Sequence, residues 1–120
     1  KGDFRGACAK PGDRLYCAGR PLVGSETLKA GAVLFDLRHL EALRNHAPVH
    51  TILPVGSRGI AAEAEILAKE SDLQIGWNAD PGVDLYRSAG PSTCAVFSAV
   101  EGAAFQLDLP VFEIGTLFPL

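Results

Sequence analysis

The stretch VHTILPVGSRGIAAEAEILAKESDLQI (residues 49–75) decides the fold, because a helical pattern stands between two short apolar runs. The first run, at 49–53, is rich in β-branched residues and predicts a strand. From 58 to 71, alanine, isoleucine and leucine recur at three- and four-residue spacing, with glutamate and lysine largely on the other face. This spacing predicts an amphipathic helix. LQIGW (73–77) predicts the next strand, so the centre of the chain is a strand–helix–strand unit.

Further elements extend this unit on both sides. We predict another helix over 33–46, further strands at 14–19, 93–100 and 109–117, an irregular segment over 1–12, and a short helix or a turn at 85–91. The run at 93–100 is apolar enough to be buried on both faces. The order β-α-β-α-β-β-β predicts an α/β (α+β) two-layer sandwich with a mixed, mostly antiparallel sheet and helices packed on one face.

Length and charge limit the possible partners. The 120 residues suffice for one compact domain, and the net charge of −3 argues against nucleic acid or an anionic membrane, both of which require a basic surface. No run of 18 apolar residues is present, so we expect no membrane span. We expect a cytoplasmic protein. The start at Lys1 rather than at Met suggests a piece of a longer chain.

The cysteines and histidines form no recognisable motif. Cys8, Cys17 and Cys94 are odd in number and widely spaced, which is typical of buried free thiols in a reducing compartment. On the predicted first helix, two histidines seven residues apart would share a face, yet about 10 Å separates them, too far to hold one metal ion. The third begins a strand alone. These histidines are His39, His46 and His50. No hydrolase motif is present.

The turn before the second helix is the first candidate site. Gly56 and Gly59 permit close approach to the backbone, Ser57 can cap the helix or donate to an oxyanion, and Arg58 can grip a phosphate. Glu63 follows one turn inside the helix. The alternative is a purely structural turn in which Ser57 is the N-cap.

A second candidate is the small-residue loop before the apolar strand at 93–100. Ser88, Gly90, Ser92 and Thr93 offer hydroxyls and close backbone approach to a substrate. A tight turn before a central strand is the alternative interpretation.

Three charged loop residues are further candidate ligands. Asp80 and Asp84 lie in a Gly/Pro-rich loop, where carboxylates are more often turn formers than metal ligands, so we predict no metal site. Arg20, between a strand end and a proline, is a plausible contact for an anion or a partner chain, although a surface arginine is the simpler interpretation.

The order of these pieces resembles the C-terminal domain of the aminoimidazole ribonucleotide (AIR) synthetase-like superfamily, whose members include thiamin-monophosphate kinase, selenophosphate synthetase and α-ribazole kinase-like proteins. The similarity covers roughly residues 10–118. The family's strand-and-turn motif corresponds to ILPVGSRGI (52–60), with the helix ending in AKES (68–71). Its later loop corresponds to Asp80-Pro81 and to SAGP (88–91), and its closing motif to LPVFEIGTL (109–117).

The resemblance implies the C-terminal half of an ATP-dependent enzyme that transfers a phosphoryl group to a small substrate or activates a phosphate. In such enzymes an N-terminal domain supplies most ligands of ATP and Mg²⁺ and forms the homodimer. We therefore expect this domain to be inactive alone, with its phosphate-facing residues at 56–59 and its substrate-side residues at 88–93.

Two departures from the family pattern leave an alternative open. Pro54 or its neighbours stand where the family carries an acidic residue, and the segment 101–108 is too short for the usual helix. The alternative is a non-catalytic small-molecule or protein-binding domain that kept the scaffold and lost the chemistry.

Overall fold

The computed structural model describes residues 9–21, 35–87 and 93–120. Within them the chain forms five strands and two helices, in the order β1 (Arg14–Gly19), α1 (Leu37–Arg44), β2 (Val49–Pro54), α2 (Ile60–Glu70), β3 (Leu73–Trp77), β4 (Cys94–Ala99) and β5 (Val111–Pro119). The predicted element order is confirmed.

The strands form one sheet in the order β2-β4-β1-β5-β3, and every neighbouring pair is antiparallel. The α+β class is therefore confirmed, whereas the sheet was predicted to be mixed and mostly antiparallel and is entirely antiparallel among the described residues. All six residues of β4 are buried, in agreement with the central position expected for this apolar run.

The helices differ from the expectation in one detail, because each packs on its own face of the sheet. Alternate residues of β4 show this division. Val96 shares a core with Ile60 and Leu67 of α2, whereas Phe97 shares a separate core with Leu43 of α1. The cause is that β1 and β4 are apolar at nearly every position, so both faces of the sheet centre must be covered.

Helix α1 is shorter than the predicted 33–46. Asp36 is its N-cap and accepts hydrogen bonds from the backbone N–H groups of Arg38 and His39, so the helix begins at Leu37. The predicted residues 33 and 34 lie outside the described residues. At the other end Asn45 is the C-cap, so His46 is not in the helix, and the idea that two histidines share one helix face is wrong.

The segment 101–108 contains no helix, in line with its predicted shortness. Instead the Phe105 ring packs edge-on against Tyr16 and Phe97, with ring centroids 5.0 Å apart in both pairs. This irregular segment and α1 together cover the second face of the sheet.

Candidate functional site

The candidate residues that the structure describes lie at one edge of the sheet, which we call the loop edge. Because neighbouring strands are antiparallel, the ends of β1 (Gly19) and β2 (Pro54) lie beside the starts of β4 (Cys94) and β5 (Val111). Helix α2 begins just after β2 at the same edge. These strand ends and the start of α2 therefore lie together at one edge of the sheet.

A tight turn leads from β2 into α2. The N–H of Gly59 donates to the carbonyl of Gly56 at 3.1 Å, and Ser57 and Arg58 occupy the exposed corner positions between them. Gly59 itself is the N-cap, with φ of 92°, and no side chain caps the helix. The interpretation of Ser57 as the N-cap is therefore wrong, because the turn places it two residues before the cap.

Gly59 is required by both conformation and space. Its positive φ is unfavourable for other residues, and a Cβ added there would lie 3.1 Å from the carbonyl oxygen of Arg87. The loop at 84–87 therefore packs directly on the start of α2.

The first turn of α2 keeps part of its capacity to bind an anion. The N–H of Ala61 is already bound to the carbonyl oxygen of Leu85 at 2.8 Å. The N–H groups of Ile60 and Ala62 have no hydrogen-bond acceptor among the described residues. These two donors, the positive end of the helix dipole and the exposed Arg58 are the groups that an incoming phosphate oxygen would meet.

Glu63 places a carboxylate at the same helix end. Its Oε2 atom would lie 3.6 Å from a Cβ added at Gly56. A carboxylate in the first turn of a helix is stabilised by the helix dipole. Glu63 therefore already partly neutralises the positive potential at the start of α2 that would attract a bound anion. An anionic ligand must therefore displace the Glu63 side chain or bind beside it.

The substrate-side loop is only partly visible. Ser88, Gly90 and Ser92 lie outside the described residues. Thr93 is described, and it is completely buried beneath the loop edge. The substrate-side role of Thr93 stays a prediction.

The charged loop residues have defined local roles. The Arg20 guanidinium lies 4.8 Å from the centre of the Phe112 ring, a cation–π contact that holds it at the loop edge. Asp84 accepts a hydrogen bond from the backbone N–H of Tyr86 at 3.0 Å, as a turn-forming aspartate does. Asp80 is exposed. Within residues 9–21, 35–87 and 93–120, no three His, Cys, Asp or Glu side chains come together to hold a metal ion.

The cysteines that the structure describes are buried beneath the loop edge. Cys17 and Cys94 are free thiols, as predicted, and they belong to the core shared with α2. The hydrogen bond to Cys94, together with burial, raises the pKa of the Cys17 thiol well above its usual range. Cys17 is therefore an unreactive core thiol. Cys8 lies outside the described residues.

Two histidine–aspartate pairs were not predicted from the sequence. His50 is not alone, because its Nδ1 atom lies 2.6 Å from the carboxylate of Asp13. The Nε2 atom of His39 lies 2.5 Å from the carboxylate of Asp108. Their partners are 37 and 69 positions away in the chain, so no local motif could reveal either pair. Only the Asp36 cap beside His39 carries a sequence pattern that could have been recognised.

The comparisons with known proteins agree with the architecture. No protein-family model matches the chain, and no curated protein matches it by sequence. Among solved structures, it is similar to the crystal structure of thiamine-monophosphate kinase from Stenotrophomonas maltophilia K279a. The similarity has a TM-score of 0.65 at 19% identity and covers 96% of this chain and 50% of that one. The chain thus spans half the length of that kinase and shares the fold of that half.

No helix among the described residues is both long enough and apolar enough to cross a membrane.

The fold found here is the one that the sequence resemblance implied, since thiamin-monophosphate kinase is a member of the AIR synthetase-like superfamily.

Proposed function

We propose that this chain is a kinase-like domain of the AIR synthetase-like superfamily, the C-terminal half of an ATP-dependent enzyme. The enzyme would transfer a phosphoryl group to a small substrate or activate a phosphate. The observation that carries the proposal is the match of 96% of the chain to half of a thiamine-monophosphate kinase. At 19% identity that match concerns the fold, and the site at the loop edge supplies the rest of the argument.

The proposed role of this half is to hold phosphate oxygens. Phosphoryl transfer depends mainly on positioning and on stabilising charge at these oxygens. The Gly56–Gly59 turn offers the open N–H groups of the first turn of α2 and the exposed guanidinium of Arg58. Arg20 follows β1 at the same edge, and β4 lies between β1 and β2 in the sheet.

The carboxylates that the structure describes offer no cluster for Mg²⁺. Asp84 is engaged in its own turn, and no acidic cluster is found in the described part of the chain. We therefore assign the ligands of Mg²⁺, and most of those of ATP, to an N-terminal domain of the same protein. We further propose that the longer protein is a cytoplasmic homodimer.

Two observations favour the rival function, a binding domain that has lost the chemistry. Pro54 ends β2 where the family carries an acid. Glu63 competes with an anion for the start of α2. A domain that binds an uncharged small molecule or a protein through the loop edge would tolerate both features.

An anion titration distinguishes these functions. We expect inorganic phosphate and ATP, added separately to the ¹⁵N-labelled protein, to shift the amide resonances of residues 56–63 above all others. Arg58→Ala should weaken binding about tenfold or more, since a charge-assisted hydrogen bond contributes about 1.5–3 kcal/mol. Arg44→Ala is the matched control, because Arg44 is equally a surface arginine but ends α1 on the other face of the sheet.

The result also distinguishes phosphate binding at the start of α2 from phosphoryl transfer. Equal binding by both arginine variants, or amide shifts spread over the whole surface, would refute phosphate binding at residues 56–59. If phosphate binds at 56–63 but the full-length protein transfers no phosphoryl group from ATP to any small acceptor, the binding-domain function is the correct one.

A further inference from the structure

The three histidines of the chain differ in which ring nitrogen remains available. In His39 both nitrogens are engaged. Its Nδ1 accepts the backbone N–H of Asp36 at 2.9 Å, its Nε2 bonds to Asp108, and only 3% of the side chain is exposed. In His46 the Nε2 atom lies 3.0 Å from the carbonyl oxygen of Ala104. A carbonyl oxygen only accepts, so Nε2 of His46 carries the proton and Nδ1 keeps the lone pair.

His50 has the opposite arrangement. Its Nδ1 atom lies 2.6 Å from Oδ2 of Asp13, a buried side chain that is 5% exposed. The same carboxylate oxygen accepts the backbone N–H of Lys10 at 2.9 Å, which holds it in place. An ionised carboxylate can only accept hydrogen bonds, so Nδ1 of His50 carries the proton and the lone pair is on Nε2.

The free nitrogen of His50 is also the less hindered one. Nε2 lies on the side of the ring away from the backbone, whereas the Nδ1 lone pair of His46 lies next to its own Cβ. No described residue makes a hydrogen bond with Nε2 of His50, and 20% of the His50 side chain is exposed. An imidazole that is oriented by a buried carboxylate and keeps Nε2 free has the arrangement of a nucleophile or a general base.

His50 stands apart from the loop edge. It is the second residue of β2, whereas the turn into α2 follows the last residue of that strand, about 13 Å away at 3.3 Å per residue. The ladder to β4 is irregular between Val49 and Thr51, so His50 is displaced from regular pairing at this point. Irregularities of this kind re-aim a side chain, and here the side chain is directed across β4 to Asp13.

We propose that His50 is a second reactive site, which accepts a phosphoryl group at Nε2 from a small donor with a good leaving group. The lone pair of Nε2 attacks phosphorus while the bond to the leaving group breaks, and the leaving group departs with that electron pair. Nδ1 keeps its proton and its hydrogen bond, so Asp13 stabilises the positive charge that develops on the ring. Asp13 is the positioning residue of this pair.

Phosphoramidate is the probe for this site, because its nitrogen leaves as ammonia when the P–N bond breaks. The protein is incubated with it at about pH 8, where an ordinary histidine is neutral. The modified residue and ring nitrogen are identified by peptide mass spectrometry and ³¹P NMR. We expect His50 to be phosphorylated at Nε2 about tenfold or more faster than His46. His39 should not react.

Variants test the role of Asp13. Asp13→Asn should slow the modification of His50 about tenfold or more, because an amide neither fixes the tautomer as strongly nor carries the charge. The rate at His46 should not change, and His46→Gln should leave the rate at His50 unchanged. Equal rates at His46 and His50, modification of His50 at Nδ1, or an Asp13→Asn variant that reacts at the normal rate would each overturn the proposal.

A measurement on the unaltered protein covers the case in which Asp13→Asn does not fold. Long-range ¹H–¹⁵N NMR correlations of the imidazole rings report directly which nitrogen carries the proton. We expect the Nδ1–H tautomer in His50 and the Nε2–H tautomer in His39 and His46. An Nε2–H tautomer in His50 would refute the proposal without any substitution. Neither experiment involves the loop edge, so their failure would leave the proposed kinase-like function untouched.

Discussion

Replacing Ser98 by alanine should stabilise the protein. Ser98 lies in the middle of β4, between Leu15 of β1 and Thr51 of β2, and its side chain has no exposure to solvent. Its hydroxyl oxygen is buried without a hydrogen-bond partner among the described residues. A buried hydroxyl that lost its bonds to water and gained none in return opposes folding.

The size of the effect follows from this lost hydration. Burying a hydroxyl without a partner costs roughly 1–3 kcal/mol by mutational data, and Ser98→Ala removes that cost. The substitution deletes a single oxygen atom, so the void it leaves subtracts only a fraction of the gain. We expect the free energy of unfolding to rise by about 1–2 kcal/mol, with a gain in Tm of about 3–6 °C for each kcal/mol.

Urea unfolding followed by far-UV circular dichroism measures this change. Ser71→Ala is the matched control, since the Ser71 hydroxyl accepts the backbone N–H of Ala9 at 3.1 Å. The control should lose about 0.5–1.5 kcal/mol, because that N–H is left without its acceptor. A Ser98→Ala variant that is less stable than the parent protein by 1 kcal/mol or more would refute the reasoning and show that the hydroxyl has a partner.

Three further predictions, one of them with a control variant, test the fold. Gly59→Ala should lower the free energy of unfolding by about 2 kcal/mol or more, because it adds a clash with the 86–87 backbone to the strain of a positive φ. Gly12 has a similar φ but open space around it, so Gly12→Ala should cost only about 1 kcal/mol. Urea unfolding of both variants checks the difference. Phe97→Ala should cost about 3–5 kcal/mol in the same assay, because this completely buried ring fills the centre of the α1-side core. The hydrogen bond from His39 lowers the pKa of Asp108, so its stabilising effect is present above the ordinary value of 3.8 and is lost as the pH falls through the depressed pKa. Asp108→Asn should therefore lower the free energy of unfolding at pH 7 and make it depend less on pH in the acid range. An unchanged pH dependence in that range would contradict the pairing of His39 with Asp108.

The sequence predicted the elements well where periodicity was strong. The run at 14–19 and LQIGW at 73–77 form strands with the predicted bounds, and α2 differs from the prediction only by its ends. Helix α1 was predicted too long, because apolar spacing alone does not mark a helix start and the Asp36 cap decides it. For the same reason the sequence leaves open whether Ser57 caps α2, and the turn geometry gives that position to Gly59.

The candidate site also combines features that a local sequence pattern predicts with features that depend on tertiary contacts. Gly56, Arg58 and Gly59 could be named as candidates from composition, because glycine and arginine before a helix have a local physical meaning. The approach of Glu63 to Gly56, the capture of the Ala61 N–H by Leu85 and the burial of Thr93 could not be predicted. Each depends on how a loop distant in sequence, or a side-chain rotamer, packs in the folded protein.

By itself, the sequence determined the order of the strands and helices that the structure describes, the apolar centre of the sheet and the position of the turn before α2, because these follow from periodicity and turn chemistry within a few residues. The tertiary structure alone decided that the helices take opposite faces, that Asp13 meets His50 across β4, and that the Ser98 hydroxyl has no hydrogen-bond partner among the described residues. These features arise where strands distant in the chain are brought side by side. Their energies depend on distances that no local pattern encodes.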